Sequence, residues 1–327
     1  MKQKIRWGII GLGKIAHSFA KDLQLVEEAE LYAVASRSKD KAVDFGEAYG
    51  VRETFGSYEE LFNCNEVDVV YIATPHMAHC DWSIKAMEAG KAVLCEKPLG
   101  VNSREVESMI EASGKNNVFL MEALWSRFNP SIAKVKELVD AGELGSVKYL
   151  HADFAFYALD RSEEGRLLNP SLAGGSLLDI GIYPIFLAYL MLGVPDRILS
   201  TTKSHSTGVE VQAAMILEYP GSMALLYSGL TSRSEMKAEI SASRGSFYLH
   251  SRWHESQGYT IDRSGKQEYF ELPTIGKGYS HEIMEVHECL RSGKTQSALW
   301  SHQNSLELVG ILDQVRQQND LLFPFEA

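Results

Sequence analysis

Cysteine is scarce in this chain, with 4 residues among 327. Cys64, Cys80, Cys95 and Cys289 form no pair with the close spacing of a metal site, so we expect no bound metal and reduced thiols. Positive charge is also in deficit, since 32 Lys and Arg against 43 Asp and Glu give a formal net charge of −11. This balance argues against binding to nucleic acid and provides no basic patch for a membrane surface.

Long apolar stretches are missing as well. No uninterrupted apolar segment reaches the roughly 20 residues that a membrane-spanning helix needs. The run Ile5–Ile10 is too short for a signal peptide, contains Arg6 and is required as a strand, so we predict a soluble cytoplasmic protein. A length of 327 residues exceeds one ordinary hydrophobic core and predicts two domains.

The N-terminus carries a dinucleotide-binding pattern. The strand predicted over Ile5–Ile10 leads into a G-x-G-x-x-A turn that runs from Gly11 to Ala16, and a helical pattern follows. Gly11 permits the tight turn, Gly13 lets the backbone approach a pyrophosphate, and Ala16 allows the helix to pack closely on the strand. N–H groups at the helix start would bind the phosphates. The turn residues expected to contact the cofactor are Gly11, Gly13, Lys14 and Ile15.

The end of the second predicted strand, Leu31–Ala35, bears on the choice of cofactor. NAD sites usually place Asp or Glu there to bind the ribose 2′-hydroxyl, whereas this chain has Ser36 and Arg37. A guanidinium can bind a 2′-phosphate through two hydrogen bonds, so we predict NADP(H), with NAD(H) as the alternative. In the competing interpretation, Arg37 is a solvated loop cation.

The order of predicted strands and helices differs between the two parts of the chain. Up to about Leu120, short apolar strands alternate with helical patterns, which predicts a Rossmann domain with a doubly wound parallel sheet. Beyond it, an apolar helix over Ser176–Leu192 and a close succession of strands predict an α+β domain on a large, mostly antiparallel, open sheet. We place the first domain at residues 1–123 and the second at residues 124–327.

Two further loops follow predicted strands of the first domain. Glu96-Lys97-Pro98 comes directly after an apolar run, where either Glu96 pairs with the lysine or the ammonium is directed at a ligand. Thr74-Pro75-His76 follows another strand and leads to His79, which has a second interpretation as a packed core histidine. Parallel strands end at one sheet edge, where nucleotides bind. The loop residues predicted to contact the cofactor are Thr74, Pro75, His76, His79, Glu96 and Lys97.

A second polar group occurs in the helix predicted to begin at Ser176. Asp179 and Tyr183 are four residues apart and therefore share one helix face. A carboxylate and a phenol in this arrangement can hold a substrate hydroxyl and relay its proton. In the structural alternative, Asp179 interacts with the helix dipole and Tyr183 is a core aromatic residue.

Together these motifs resemble the glucose–fructose oxidoreductase / inositol dehydrogenase (Gfo/Idh/MocA) family. The resemblance covers essentially the whole chain, with the motifs in the family's order and spacing. The segment from Met121 to Pro130 is similar to the branch of dimeric dihydrodiol dehydrogenases and NADP-dependent D-xylose dehydrogenases. Many relatives carry D-x-G-x-H where this chain has Tyr183, so the tyrosine departs from the wider pattern and matches this branch.

The resemblance implies hydride transfer between nicotinamide and a hydroxyl of a sugar, a sugar derivative or a trans-diol. Lys97 would stabilise the developing alkoxide, Tyr183 would donate or accept the proton, and Asp179 would orient Tyr183 or the substrate. Which of Lys97 and Tyr183 is the formal acid or base is left open. A homodimer or homotetramer through the C-terminal sheet is also implied. The resemblance implies that Trp125 and Arg127 contact the cofactor. The residues implied to contact the substrate are Trp125, Phe154 and Tyr279. For each aromatic ring, packing in the core is the alternative.

Two other functions are compatible with this fold. One is a non-catalytic dinucleotide-binding sensor or regulator, and the other is a reductase of the biliverdin or imine type. The presence of both Lys97 and Tyr183 disfavours a sensor, which needs neither side chain. The size of the pocket would distinguish a tetrapyrrole or imine reductase from a sugar enzyme.

Overall fold

The structure, a computed structural model, describes residues 4–326 and groups them into two units. The first unit contains the chain up to Trp125 together with Ile275–Leu306, and the second contains Ser126–Thr274 and the chain from Glu307 onward. The predicted boundary between residues 123 and 124 lies close to this division. The structure differs from the predicted contiguous second domain because Ile275–Leu306 returns to the first unit.

The first unit is built on six strands in the order β3-β2-β1-β4-β5-β6, and every neighbouring pair is parallel. This is the doubly wound order that reverses direction between β1 and β4, so the predicted Rossmann architecture is confirmed. The strands are β1 (Ile5–Ile10), β2 (Ala29–Ala35), β3 (Glu53–Phe55), β4 (Val69–Ile72), β5 (Ala92–Glu96) and β6 (Leu120–Ala123). The helices are α1 (Lys14–Leu23), α2 (Lys39–Tyr49), α3 (Tyr58–Phe62), α4 (His79–Glu88) and α5 (Ser103–Asn116). The sequence pattern missed β3, which has only three residues and no fully buried face.

Side-chain caps begin several helices of this unit. The oxygens of Ser38, Ser57 and Asn102 accept hydrogen bonds from backbone N–H groups in the first turns of α2, α3 and α5. Helix α1 is different because its N-cap is Gly13, which has no side chain to bind those groups. The start of α1 therefore keeps N–H donors available for a ligand.

The returning segment is tied to the first unit by specific hydrogen bonds. Trp7 of β1 is fully buried, and its Nε1 donates to Nε2 of His287 at 3.0 Å. His287 lies on α8 (Tyr279–Arg291), whose first turn is bound by the carboxylate of Asp22 in α1. Asp22 accepts the N–H groups of Gly278 and Tyr279 at 2.9 Å each. These contacts join residues more than 250 positions apart, which a sequence-local division cannot anticipate.

The second unit is built on an eight-stranded sheet in the order β14-β13-β12-β11-β7-β10-β9-β8. Its neighbouring strands are antiparallel except for β7 and β10, so the predicted mostly antiparallel sheet is confirmed. The strands are β7 (Val147–Ala155), β8 (Arg197–Ser204), β9 (Glu210–Tyr219), β10 (Ser222–Gly229), β11 (Ala238–Ala242), β12 (Gly245–Leu249), β13 (Gly258–Arg263) and β14 (Lys266–Glu271). The helices are α6 (Pro130–Asp140), α7 (Ile182–Leu192) and α9 (His302–Gln318), and α9 begins in the first unit.

One segment bears on the expectation that no uninterrupted apolar segment could span a membrane. The largely helical stretch Pro170–Leu192 has a mean hydropathy of 1.6 and is long enough to cross a bilayer. Its most apolar window is nevertheless 89% buried inside the fold. Asp179 interrupts this apolar stretch, and the burial of the stretch is that of a core helix.

Candidate active site

The glycine turn lies where β1 meets α1. Gly11 has a φ of +80°, and a Cβ there would come within 2.4 Å of the Ala73 backbone, so the turn requires glycine. A Cβ on Gly13 would approach only the Gly11 oxygen, at 3.9 Å, and would otherwise point into open space. The uncovered start of α1 thus faces a free volume at the carboxyl edge of the sheet. Ile15 in the first turn of α1 is itself exposed.

The end of β2 presents the predicted cofactor-selecting residues. Ser36 is buried and its hydroxyl accepts the Ser38 N–H at 3.2 Å, whereas Arg37 is exposed. Tyr58, the first residue of α3, has a phenol near both Arg37 and the Gly11 N–H. Burial raises the pKa of Tyr58, while Arg37 and the Gly11 N–H act in the opposite direction. Tyr58 was not singled out from the sequence.

The loop after β4 is tied to the loop after β5 through His79. The ring Nδ1 lies 2.8 Å from the Pro98 oxygen and Nε2 lies 2.9 Å from the Thr74 oxygen. Burial lowers the pKa of His79, and the charge of Lys97 lowers it further. Both ring nitrogens thus face backbone oxygens, which favours the packing interpretation of this histidine. Thr74 Oγ1 is buried and has no hydrogen-bond partner among residues 4–326.

Lys97 stands out within its stretch of chain. Residues 91–100 are all buried except Lys97, which is half-buried. The two oxygens of Glu96 accept the Tyr71 hydroxyl and, at 3.2 Å, the backbone N–H of Lys97, and the Lys97–Pro98 peptide bond is cis. The turn therefore keeps a cation accessible at the same sheet edge as the glycine turn.

Two further buried carboxylates lie in this unit, and neither was assigned a role from the sequence. Glu122 of β6 binds Leu99 just beyond the lysine turn. Glu282 of α8 is fully buried, and neither of its oxygens has a hydrogen-bond partner within the described residues. Burial raises the pKa of Glu282 well above the usual range, and the charges of Glu96 and Asp22 add to this effect. No local pattern marks these residues, since each depends on chain segments far apart.

The aromatic residues predicted near the pocket are mostly packed. Trp125 and Tyr279 stack with ring centroids 4.8 Å apart, and both are buried. Tyr279 also meets Phe19 edge-on. Arg127 is half-buried in the short helical turn Trp125–Phe128. The structure thus brings Trp125 and Tyr279 together, in a stack that also satisfies the core-packing alternative.

The second unit carries Asp179 and Tyr183. The sequence predicted one helix over Ser176–Leu192, whereas the structure has a π-helical turn over Leu177–Gly181 before α7 begins. The Arg166 guanidinium binds Asp179 through two nitrogens, at 2.6 and 3.4 Å. Asp179 is therefore held by an ion pair whose arginine sequence analysis did not identify.

Tyr183 belongs to a three-ring cluster with Phe154 and His254. Its ring centroid lies 5.4 Å from each of these two rings, which stack on one another at 4.3 Å. Phe154 was predicted in this region, whereas His254 was missed because it lies about 70 positions further along the chain. The cluster fixes the plane of the Tyr183 ring.

The start of the helical segment that carries both residues is bound by Glu210 of β9. Its carboxylate accepts the Leu177 N–H, and burial raises its pKa to about 7. Gly175 has a φ of +123°, and a Cβ there would overlap the Glu210 carboxylate. The close approach of this buried acid thus explains Gly175, whereas a Cβ on Gly174 would meet the backbone oxygens of Asn169, Arg166 and Leu167 at 2.8 to 2.9 Å.

Within residues 4–326 no group of three His, Cys, Asp or Glu side chains could hold a metal ion. The described side chains place the half-buried Lys97 ammonium and the exposed Lys14 at the sheet edge that bears the glycine turn, and a carboxylate and a phenol on one helical segment of the second unit. These features together define a two-domain oxidoreductase of the dinucleotide-binding class.

Comparison with known proteins gives the family. Residues 5–124 match the GFO/IDH/MocA oxidoreductase family with its NAD-binding Rossmann fold, and residues 132–248 match the GFO/IDH/MocA C-terminal domain. Trans-1,2-dihydrobenzene-1,2-diol dehydrogenase from Mus musculus is 34% identical over 333 residues, covering 98% of this chain and 98% of that protein. The chain belongs to the Gfo/Idh/MocA family of oxidoreductases, and the resemblance inferred from its motifs is confirmed.

Solved structures agree over almost the entire chain. KijD10, a 3-ketoreductase from Actinomadura kijaniata solved with NADP and TDP-benzene, is 27% identical with a TM-score of 0.87 and covers 96% of this chain and 98% of its own. Aldose–aldose oxidoreductase from Caulobacter crescentus, complexed with glycerol, is 25% identical with a TM-score of 0.88 and covers 96% and 97%. These relatives act on sugars, diols or ketones, in agreement with the predicted enzyme class.

Proposed function

We propose that this chain is an NADP(H)-dependent oxidoreductase acting on a hydroxyl of an aldose, a sugar derivative or a trans-diol, or on the corresponding carbonyl. The observation that carries the proposal is the half-buried Lys97 in an otherwise buried stretch, at the sheet edge that also bears the glycine turn. The family supports it, because relatives named as diol dehydrogenases match the chain over its full length.

The residues present fit a nicotinamide dinucleotide. Gly13 leaves the start of α1 open to a pyrophosphate, and the buried Thr74 Oγ1 has no partner among the described residues. Ser36 and Arg37 suit a 2′-phosphate, and the related KijD10 was solved with NADP. When bound, the cofactor supplies or accepts the hydride at C4 of its nicotinamide ring.

The side chains of the protein would handle the proton and the charge. The Lys97 ammonium would bind the reacting oxygen and stabilise negative charge that develops on it. The Tyr183 phenol would donate or accept the proton, in a ring plane held by Phe154 and His254. Asp179, neutralised by Arg166, would orient the substrate or the phenol.

The test is Lys97→Met, which removes the ammonium and keeps the length of the side chain. Turnover should be abolished while NADPH still binds, as followed by the quenching of protein fluorescence. Wild-type turnover in this variant would overturn the proposal. A screen of pentoses, hexoses and trans-diols with both cofactors, read by nicotinamide absorbance, identifies the substrate. NADPH binding without turnover of any substrate by the wild type would favour the sensor.

We also propose that the chain forms a homo-oligomer through the open face of the eight-stranded sheet. Leu199 of β8 and Met223 of β10 are exposed by 39% and 41%. A shallow hollow on the sheet is lined by Leu199, Ile216 and Leu225, an apolar patch of the type that marks interfaces. Light scattering after size exclusion should show Leu199→Glu as a smaller species, whereas Met284→Glu, an equally exposed apolar site on α8, should leave the assembly intact.

A further inference from the structure

We propose that Glu122 is a positioning residue for Lys97: its buried carboxylate anchors the backbone just beyond the lysine and supplies a negative charge near the ammonium. The inference rests on the proposed role of Lys97 in handling the proton. Glu122 lies on β6, directly opposite Cys95 of β5 in the parallel register, so it sits beside the strand that ends in the lysine turn.

The lysine turn is held on both sides by carboxylates. Before the proline, Glu96 Oε2 accepts the N–H of Lys97 itself at 3.2 Å. Because Pro98 has no N–H, the first backbone donor after Lys97 is the N–H of Leu99. Glu122 Oε1 accepts that Leu99 N–H at 3.0 Å. The position of the Lys97 Cα is therefore fixed between two acceptors that face the chain from β5 and β6.

The carboxylate of Glu122 is itself anchored by the returning segment. Its Oε2 accepts Nε1 of Trp300 at 3.0 Å and Oγ of Ser305 at 2.7 Å, and all three residues are buried. The Leu99 N–H and the Trp300 indole N–H can donate a hydrogen bond but cannot accept one. Both therefore favour the ionised Glu122 carboxylate, which only accepts. A carboxylate with three hydrogen bonds and a few per cent exposure has little freedom to move.

The electrostatic interactions of Glu122 also support a positioning role. Burial raises the pKa of Glu122, and the three hydrogen bonds together with the charge of Lys97 act against this rise. The ammonium is therefore close enough for Glu122 to interact with it. Other titratable groups around the turn, among the described residues, are Cys95 and Glu96 of β5, Tyr71 of β4, His79 of α4 and, through its effect on Glu96, Glu282 of α8.

The experiment uses the full-length protein and Glu122→Gln, which keeps an oxygen acceptor for Leu99 and removes the charge. We expect kcat to fall about tenfold to a hundredfold, with the dissociation constant for NADPH unchanged within about twofold. The pH–rate profile should move to lower pH, because loss of a neighbouring negative charge disfavours a positively charged group. The direction is the same whether Lys97 acts as acid or as base.

Ser305→Ala is the matched control, since it removes one hydrogen bond from Glu122 and leaves the charge in place. Its kcat should stay within about threefold of the wild type, with an unmoved pH profile. If Lys97→Met is inactive while Glu122→Gln keeps the wild-type kcat and profile, the inference is overturned and the proposed function stands. If Lys97→Met is active, the proposed function fails, and the positioning role fails with it.

A merely structural role for Glu122 would lower the melting temperature and leave the pH profile of the folded enzyme unchanged. Should Glu122→Gln not fold, the variant that combines Trp300→Phe with Ser305→Ala carries the test. It keeps the charge and frees the carboxylate from two of its three anchors. We expect a lower kcat at constant KM and an unchanged pH profile; a wild-type kcat in this folded variant would contradict the inference.

Discussion

The proposed catalytic side chains fall into two halves, one in each unit, and each half is held in a different way. In the first unit, Lys97 sits on a short turn whose backbone donates to the buried carboxylates of Glu96 and Glu122. In the second unit, Tyr183 is held by ring packing, and Asp179 by an ion pair with Arg166, whose side chain is 55% exposed. Backbone hydrogen bonds to buried carboxylates are directional, whereas an exposed ion pair is weak and ring packing sets a plane without fixing the end of the side chain. We infer that the first half provides fixed chemistry and the second adapts to the substrate.

Tyr183→Phe gives the largest effect expected outside the lysine turn. The variant keeps the ring contacts with Phe154 and His254 and removes only the hydroxyl. If the phenol handles the proton, kcat should fall by about 10²- to 10⁴-fold with an unchanged melting temperature. Steady-state kinetics and thermal unfolding measure the two quantities.

Phe154→Leu is the control for this variant, because it disturbs the ring cluster and leaves the phenol in place. It should change KM more than kcat if the second half adapts to the substrate. A kcat within about threefold of the wild type in Tyr183→Phe would assign the proton step to another group and leave Tyr183 as a core aromatic residue.

Glu210→Gln tests how the second half is supported. Glu210 is 4% exposed and its pKa is raised by burial from 4.5 to about 7, so the folded chain keeps a proton that the unfolded chain releases between these values. The contribution of Glu210 to the free energy of unfolding is therefore greatest below pH 4.5, and it falls as the pH rises towards 7. The difference amounts to on the order of 3 kcal/mol.

In Glu210→Gln the amide oxygen still accepts the Leu177 N–H, and this pH-dependent loss should disappear. Thermal unfolding from pH 5 to pH 8.5 of the wild type and the variant isolates the contribution, because all other titrating groups are shared. Parallel curves for the two proteins would show that Glu210 does not hold a proton in the folded state.

The same contrast explains what could be predicted from the sequence. The glycine turn and the lysine turn follow predicted strands, and parallel strands bring their ends to one edge, so local patterns were enough to group them. Asp179 and Tyr183 were found through their spacing of four residues. The partners that hold all these groups come from distant segments: Glu122, Trp300, Arg166 and His254 have no local signature and become neighbours only through the sheet order and the returning chain.

The limits of local patterns also appear in the fold itself. The three-residue β3 was too short to detect. The turn Leu177–Gly181 was predicted as α-helix, because a π-helical turn and an α-helix have similar apolar patterns. The most apolar window of the stretch Pro170–Leu192 is 89% buried, so its apolar residues do not alternate with polar ones in a way that would indicate which face is exposed. In each case the deciding interactions are tertiary.

Arg37→Ala tests the cofactor end of the first half. If the guanidinium binds a 2′-phosphate, kcat/KM with NADPH should fall about tenfold to a hundredfold while the value with NADH stays unchanged. Lys39→Ala is the control, because Lys39 is another exposed cation close by, and its ammonium binds the Thr54 oxygen of β3. Equal losses in both variants would indicate general attraction by positive charge. Comparable wild-type efficiency with NADH and NADPH would remove the basis of the assignment to NADP(H).

Asp22→Asn should have the smallest effect. Its carboxylate is 3% exposed and accepts three backbone N–H groups at the start of α8, at 2.9 to 3.0 Å. The amide places an N–H₂ group against N–H donors and removes a charge that favours the helix N-terminus, so unfolding should become easier by about 1 to 2 kcal/mol. Urea denaturation measures this change, with Asp44→Asn on the exposed face of α2 as the control, where about 0.5 kcal/mol or less is expected.

The kinetic result for Asp22→Asn bears on the comparison of the two halves. Helix α8 carries Tyr279 against Trp125, whereas the segment that follows it carries the Trp300 and Ser305 anchors of Glu122. If the lysine turn is fixed by its own hydrogen bonds, kcat should remain within about threefold of the wild type although stability falls. A loss of kcat as large as that of Glu122→Gln would mean that the cap of α8 also positions the lysine turn, and the rigid half of the site would then extend back to α1.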